Sequence, residues 1–448
     1  MNRALFEFIN GRTVGFFGIG KTNLALLSEL SGTDTEITLR SDEKIDRSKL
    51  PEELNIKAVY ECGHSADCIR EDILFFSPSV RRDRTEFLCA LGRGTVFTSD
   101  IDFFLSHNSS PLFLVTGSDG KTTTTALAEQ MLKTEDRDAI AIGNIGRSAT
   151  PLLDKPDTSF VFEASSFMLE YTAPRATRAT ITSLTPEHLT WHCGYENYKK
   201  AKMRAFENAH ECVASLDSPD LRDPVGKKSL FALTSTRMTL KEMLRSYDAD
   251  FYYCVEGGYI TENGRRLLSV SELKRQEEYN IRNYLSALAL TKGHTDEDHA
   301  LSVIREFSGL EHRCERFYCK GGIEFINSSI DTSPERTANT IKGVEGNIIL
   351  LLGGRDKGLP LTPLTDAIDD RVKAVLLFGE AAKKLQEAIP DNIDKKAFSG
   401  LYDATVYAME IAGVGDTVLL SPAATSYDEF SSFEERGSFF KSIILEGF

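Results

Sequence analysis

One stretch constrains this chain more than any other: PLFLVTGSDGKTTTTALAEQML, residues 111–132. Its apolar start reads as a strand, a glycine-containing loop follows, and the tail has helical spacing. Gly117 and Gly120 allow the loop to curl so that consecutive N–H groups face inward, a nest for anions. The helix that follows adds the positive end of its dipole. Lys121 can balance the charge of β/γ-phosphates, and Thr122 offers a hydroxyl to Mg2+. Together with Ser118, Asp119 and Thr123 they form a candidate site for ATP or another nucleoside triphosphate. The bland alternative is a plain strand–helix turn.

The rest of the chain follows the same α/β rhythm. Its 448 residues exceed one ordinary domain. RTVGFFGIG reads as a strand entering a Gly-rich turn and NLALLSELSG as a helix. EITLRSD, KAVYEC, DILFFSPS and VFTSDIDFF read as further strands of a parallel sheet. Gly18-x-Gly20 allows a diphosphate to approach, but Asn23 stands where a dinucleotide fingerprint has its third glycine. A nucleotide diphosphate and a purely structural turn therefore both stay open. A second unit starts near Leu112 and includes PLFLV, AIAIG, SFVFEAS, ATITSL and FYYCVEGGYI as strands. A third follows Gly309, with GIEFINSS, GNIILLLGG, AVLLFG and DTVLLSP. The expected organisation is α/β, in three units: 1–99, 100–309 and 310–448.

Composition narrows the function. Hydrophobic residues make up 41% and charged residues 27%, the range of a soluble globular protein. No stretch approaches the roughly 20 apolar residues of a membrane span. The apolar opening is interrupted by Glu7, Asn10 and Arg12 and does not read as a signal peptide. A cytoplasmic chain without a membrane partner is expected. A net charge of −15 argues against general nucleic-acid binding. The eight cysteines are scattered, which suggests reduced thiols. Cys62, His64 and Cys68 cluster loosely, in no closed zinc pattern.

Two further residues sit at expected strand ends on the edge of the sheet that carries the phosphate loop. Glu163, closing SFVFEAS, is a candidate Mg2+ ligand or a capping group. His188, in TSLTPEHLTWH, could bind metal, touch substrate or be structural. Ligands collect along such an edge in open α/β folds.

The series TGSDGKTTTT, GNIG, EASSFMLE, TSLTPEHL, YKKAKMRAF, YNIRN, GLEHRCE, NSSIDTSPERT, LLGGRDKG and LSPAATSYDEFSSFEERG resembles the Mur ligase family, in order and over essentially the whole chain. Within that family it is most similar to the ligases that add D-glutamate. The resemblance implies a Rossmann-like domain for a UDP-linked substrate, a central P-loop ATPase-type domain and a Rossmann-like C-terminal domain. It implies a monomeric enzyme of peptidoglycan synthesis that uses ATP and Mg2+. It would phosphorylate the carboxylate of UDP-N-acetylmuramoyl-L-alanine and pass the acyl group to the amine of D-glutamate.

Carried over residue by residue, Lys121, His188 and Lys202 match catalytic positions. Thr122, Glu163, His188 and Lys202, the last as a carbamate, match the metal site. Asn280, Asn283 and Arg313 match ATP contacts, together with residues 117–123. Lys21, Thr22, Ser77 and Pro78 fall on the uridine-nucleotide loops, and Asn144 on a substrate contact. Thr332, Lys357, Ser426 and Phe433 match the positions that bind D-glutamate. The chain also departs from the pattern. Tyr279 replaces a usual His, Ser79 a common Gly, and Ser328 a usual Asp. Ile330 stands where some members have Lys. Asp331 replaces a small residue and brings negative charge near the D-glutamate positions. A ligase for another amino acid, or a non-catalytic protein that holds the UDP precursor, are the competing readings.

Overall fold

Short, almost fully apolar runs become central parallel strands here, because helices cover both faces of each sheet. The computed structural model describes residues 2–144, 148–221, 229–232, 241–242 and 249–447. They divide into two compact units, Met1–Phe307 and Ser308–Phe448.

The first unit carries two sheets. One is all parallel: β1 (Val14–Phe17), β2 (Ile37–Ser41), β3 (Ile56–Glu61), β4 (Ile73–Phe76) and β5 (Val96–Thr98), in the order 3-2-1-4-5. That is the doubly wound order, whose ligand crevice opens where β1 and β4 lie side by side. The other sheet has nine strands: β6 (Leu112–Thr116), β7 (Asp138–Gly143), β8 (Thr158–Glu163), β9 (Arg178–Ile181), β10 (Glu211–Ser215), β11 (Ser229–Ala232), β12 (Tyr252–Glu256), β13 (Tyr259–Glu262) and β14 (Arg265–Ser269). Its order is 14-13-12-11-10-9-6-8-7, which puts β6 inside the parallel part, between β9 and β8.

Two sequence expectations change here. FYYCVEGGYI is not one strand. Gly257 and Gly258 turn it into the antiparallel pair β12–β13, and β14 continues the meander. VFTSDIDFF is strand only to Thr98. Ser99 then accepts a hydrogen bond from the Asp102 N–H (3.1 Å) and starts the helix Asp100–His107. Such a cap is worth about 1 kcal/mol. That helix joins the two sheets, since Phe103 packs into the core around β1 while Ile101 and Phe104 pack into the core of the larger sheet.

The second unit has one sheet: β15 (Glu315–Lys320), β16 (Ile323–Asn327), β17 (Asn347–Gly353), β18 (Val372–Phe378), β19 (Asp394–Ala397) and β20 (Asp416–Ala423), ordered 15-16-20-17-18-19. All neighbours are parallel except the β15–β16 hairpin. The chain reverses its direction of travel between β20 and β17, so a crevice is expected beyond those strand ends.

Candidate active site

Strand β6 ends at Thr116, and the helix Lys121–Leu132 starts after the four-residue loop 117–120. Gly120 caps that helix at φ +81°, a conformation other residues rarely adopt. At Gly117 a Cβ would run into the Thr182 hydroxyl, so the loop lies against the segment after β9. The Ser118 N–H donates to Ser183 O (2.9 Å) and the Asp119 N–H to Ser183 Oγ (2.8 Å). The Ser118 hydroxyl lies 2.8 Å from both Thr185 O and the buried Tyr198 hydroxyl. These groups fix the loop from behind.

Two lysines converge on one carbonyl. Lys121 Nζ donates to Gly117 O (2.8 Å) and Ser118 O (2.6 Å). Lys202, from the helix Tyr195–Glu207, donates to the same Gly117 O (2.7 Å) and to Thr116 Oγ1 (3.3 Å). Lys202 is only 2% exposed. Burial pushes its pKa down to about 7, and the Lys121 charge acts the same way, while Glu187, Glu163 and Asp119 oppose the shift. A neutral amine is thus accessible near pH 7, the form that can react with carbon dioxide to give a carbamate.

Glu163 ends β8, in register with Val115 on one side and Gly143 on the other. Its carboxylate is fully buried. Oε1 accepts from Asn144 Nδ2 (2.7 Å), and Oε2 has no hydrogen-bond partner among the described residues. A buried carboxylate oxygen without a donor fits a cation. Among the described residues no three His, Cys, Asp or Glu side chains gather as a metal site on their own. Mg2+ takes one or two carboxylates and completes its shell with phosphate and water. Cys62 and Cys68 are exposed free thiols, and His64 pairs with Asp67 (2.8 Å).

His188 is exposed, at φ +51°, ahead of the turn Leu189–His192, and its ring stands 4.8 Å from that of Phe167. His192 is the buried one. Its Nε2 lies 3.0 Å from Ser166 Oγ, and burial, with the charges of His188, Lys202 and Arg81, pushes its pKa down to about 4. Asn283, on the helix Glu278–Thr291, meets the phosphate loop at Gly120 and lies 3.4 Å from the Thr124 hydroxyl. Asn280 instead donates to Glu277 (3.0 Å).

In the smaller sheet, the Ser77 N–H donates to Phe17 O (2.8 Å), which joins the ends of β1 and β4. Asn23 is buried and donates to Gly18 O (2.7 Å), so this side chain braces the turn where the sequence lacks a glycine. Lys21 is exposed at the start of the helix Lys21–Glu29. Thr22 and Pro78 line a cleft together with Asp100, Gly143 and Met168. The segments after β1 and β4 and the end of β7, next to Asn144, therefore share one cleft. Ile145 and Gly146, from the GNIG motif, lie outside the described residues.

In the second unit, Thr332, Lys357 and Ser426 follow β16, β17 and β20, three adjacent strand ends, and Phe433 opens the helix Phe433–Gly447. Lys357 Nζ donates to Thr332 Oγ1 (3.1 Å). Desolvation, with Arg336 and Arg436 nearby, lowers its pKa. Arg436 had no assigned role in the sequence, yet it organises this region. Fully buried, it donates to Ser329 O (2.9 Å), Ala424 O (3.1 Å), Gly353 O (3.4 Å) and Ser329 Oγ (3.0 Å). Burial lowers its pKa to about 10. Ser329 Oγ in turn donates to Phe433 O (2.8 Å). The departures at 328–331 also find partners. Asp331 accepts from Thr340 (2.7 Å) and Ser421 (2.8 Å), and Ser328 Oγ accepts from the Cys314 N–H (3.1 Å). Arg313 is half-buried in this second unit.

The chain has relatives among known proteins. The Mur ligase middle domain matches residues 115–291. A UDP-N-acetylmuramoylalanine–D-glutamate ligase of Acetivibrio thermocellus is 33% identical, over 99% of this chain and 99% of its own. The enzyme of that name from Clostridium botulinum is 31% identical, over 98% and 97%. Among solved structures, a UDP-N-acetylmuramate–alanine ligase from Thermotoga maritima shares the fold with a TM-score of 0.58. It is 18% identical and aligns over 98% of this chain and all of its own.

Proposed function

The chain belongs to the Mur ligase family, and we propose that it joins D-glutamate to UDP-N-acetylmuramoyl-L-alanine at the expense of ATP, in peptidoglycan precursor synthesis. The substrate carboxylate attacks the γ-phosphorus of ATP, giving an acyl phosphate and ADP. The D-glutamate amine attacks the acyl carbon, a tetrahedral intermediate forms, and phosphate leaves as the amide forms. The overall sum is amide, ADP, phosphate and one proton. A free carboxylate is a poor electrophile, and phosphorylation supplies its leaving group. What remains for the protein is positioning and charge neutralisation.

The observation that carries the reading is the pair of lysines on Gly117 O beside the unpartnered Glu163 oxygen. Lys121 is assigned to the transferred phosphate, and the first turn of its helix, with residues 117–123, to the triphosphate. Asn283, Asn280 and Arg313 are assigned to the nucleotide. Thr122, Glu163, His188 and a carbamate on Lys202 would hold Mg2+, which when bound withdraws charge from the phosphoryl oxygens. Lys21, Thr22, Ser77, Pro78 and Asn144 are assigned to the UDP substrate. Thr332, Lys357, Ser426 and Phe433 are assigned to D-glutamate, whose two carboxylates suit a lysine flanked by hydroxyls. We assign these roles to domains 1–99, 100–309 and 310–448 of a cytoplasmic monomer that needs neither nucleic acid nor membrane. Among the described residues no helix is long and apolar enough to cross a bilayer.

The test is phosphate release from the purified protein with ATP, Mg2+ and UDP-N-acetylmuramoyl-L-alanine, with D-glutamate, L-glutamate or no amino acid, and with products weighed by mass spectrometry. Release that requires D-glutamate, with one glutamate added to the nucleotide, is the expected result. Release with a different amino acid would keep the chemistry and replace the substrate. Binding without release would revive the reading as a non-catalytic holder of the precursor.

A further inference from the structure

Segment 79–82, directly after the nucleotide-loop residues Ser77 and Pro78, is tied to the turn that follows His188. Trp191 Nε1 donates to Ser79 O (3.2 Å). In return Arg81 donates to Trp191 O (2.6 Å) and stands 5.5 Å from the centre of the indole. Arg81 also reaches Cys193 Sγ (3.4 Å) and is held by Asp83. The Arg82 N–H donates to Tyr171 OH (2.9 Å), and its guanidinium pairs with Asp102 (2.9 Å). On its other side the indole packs edge-on against Phe167 at 4.7 Å, and Phe167 touches the His188 ring at 4.8 Å. A continuous path of contacts thus runs from the loop after β4, through Trp191 and Phe167, to His188.

We propose that Arg81 and Trp191 are positioning residues that hold His188 in register with the docked uridine nucleotide. Resting on the assigned reaction, this makes the loop at Ser77 and Pro78 more than an anchor for the distant end of the substrate. Its occupancy fixes the orientation of a side chain assigned to the metal site. Ser79 takes part only through its carbonyl, so replacing a glycine at this position leaves the link intact. Binding energy from the UDP end would then be used at the reacting end, the usual route by which a remote part of a substrate raises kcat.

Trp191 is the only tryptophan in the chain, so its emission reports on this link alone. UDP is titrated into the full-length protein without ATP while indole emission is followed, with occupancy measured by calorimetry. A saturable emission change that tracks occupancy is expected. In Arg81→Ala, UDP should still bind while the emission change is lost. Its kcat should fall about tenfold with the KM for ATP unchanged, because a small misplacement near the chemistry is costly. Arg81→Lys, which keeps a donor for Trp191 O, should recover much of that loss. Trp191→Phe keeps the ring on Phe167 but loses the N–H, and should lower kcat by about threefold with the same KM pattern, which covers failure of Arg81→Ala to fold. Emission unmoved at saturating UDP, or kcat within about twofold of wild type in both Arg81→Ala and Trp191→Phe, overturns the proposal. Wild-type turnover with D-glutamate alongside either result leaves the assigned reaction standing. Absence of turnover with any amino acid counts against the reaction, and the UDP titration then decides the link by itself.

Discussion

At the phosphate loop two lysines share one carbonyl, whereas in the second unit one guanidinium, Arg436, holds three carbonyls. Both sites stand at strand ends of parallel sheets. They differ in what their cations do before any ligand arrives. Lys121 and Lys202 crowd each other, and burial has already pulled the second toward neutrality. Two amines held this close to one strand end suit an incoming anion. The charge of Arg436 is committed to the ends of β17 and β20 and to the turn at Ser329, and it shapes the loops that carry Lys357, Ser426 and Phe433. Substitution should therefore cost rate in the first region and folding in the second.

The largest expected effect follows from this pair of amines. Lys121→Met should lower kcat by about 10^3-fold, the scale of losing one charge stabiliser in phosphoryl transfer. Its urea midpoint should fall less than that of a variant at Arg436, since its bonds to Gly117 and Ser118 are local to the loop. A variant that loses stability in step with activity would erase the contrast. The counterpart is Arg436→Met. It strands three carbonyls in the interior at about 1 kcal/mol or more each, so a loss of roughly 3 kcal/mol in urea unfolding is expected. Arg436→Lys should keep more of the fold and raise the KM for D-glutamate while the KM for ATP stays put. Unfolding curves that match wild type for both would show that the loops hold without the guanidinium.

Lys202 sharpens the comparison through pH. Between about pH 7 and the ordinary lysine range, the unfolded chain carries a proton at Lys202 that the folded chain lacks. Stability therefore rises with pH across that window, and the penalty is greatest below about pH 7, where both forms are charged. Lys202→Met should remove this slope, and at pH 6 it should be more stable than wild type yet inactive. Chemical denaturation at several pH values measures it. Equal slopes in the two proteins would mean that Lys202 is relaxed by neighbours other than those at the loop, or is carried as a carbamate throughout.

The two regions were also unequally legible in the sequence. The phosphate loop is contiguous: Gly117, Gly120, Lys121 and Thr122 lie within six residues, so local chemistry alone announces an anion site. The proposed amino-acid site is drawn from positions spread from 332 to 433, and only the family resemblance joined them. Nothing local marks Arg436 as buried, because an FEERG sequence reads equally well as a charged helix surface. Its partners lie at Ser329, Gly353 and Ala424, and only the sheet order 16-20-17 brings these together. The same blindness to long-range pairing left Ser183 unseen behind the phosphate loop, and Asn23 read as a missing glycine when it is a brace. FYYCVEGGYI was misread for a different reason. Its apolar content is uniform on both sides of Gly257 and Gly258, and hydrophobicity cannot distinguish one long strand from a hairpin.

Asp331 is the point where the comparison predicts almost nothing, and that makes it a useful test. From sequence, a carboxylate beside the D-glutamate positions should repel a dicarboxylate. In the structure it is buried, and Oδ2 takes the hydroxyls of Thr340 and Ser421. Its charge also lies close enough to favour the protonated form of Arg436. Committed in this way, it belongs with the structural charges of the second unit. Asp331→Asn keeps an oxygen for the two hydroxyls and gives up only the long-range attraction to the guanidinium, a loss of about 1 kcal/mol in stability. The KM for D-glutamate should change by less than about twofold. A fall of tenfold or more would mean that the carboxylate does oppose the substrate, and that the hydroxyls do not mask its field.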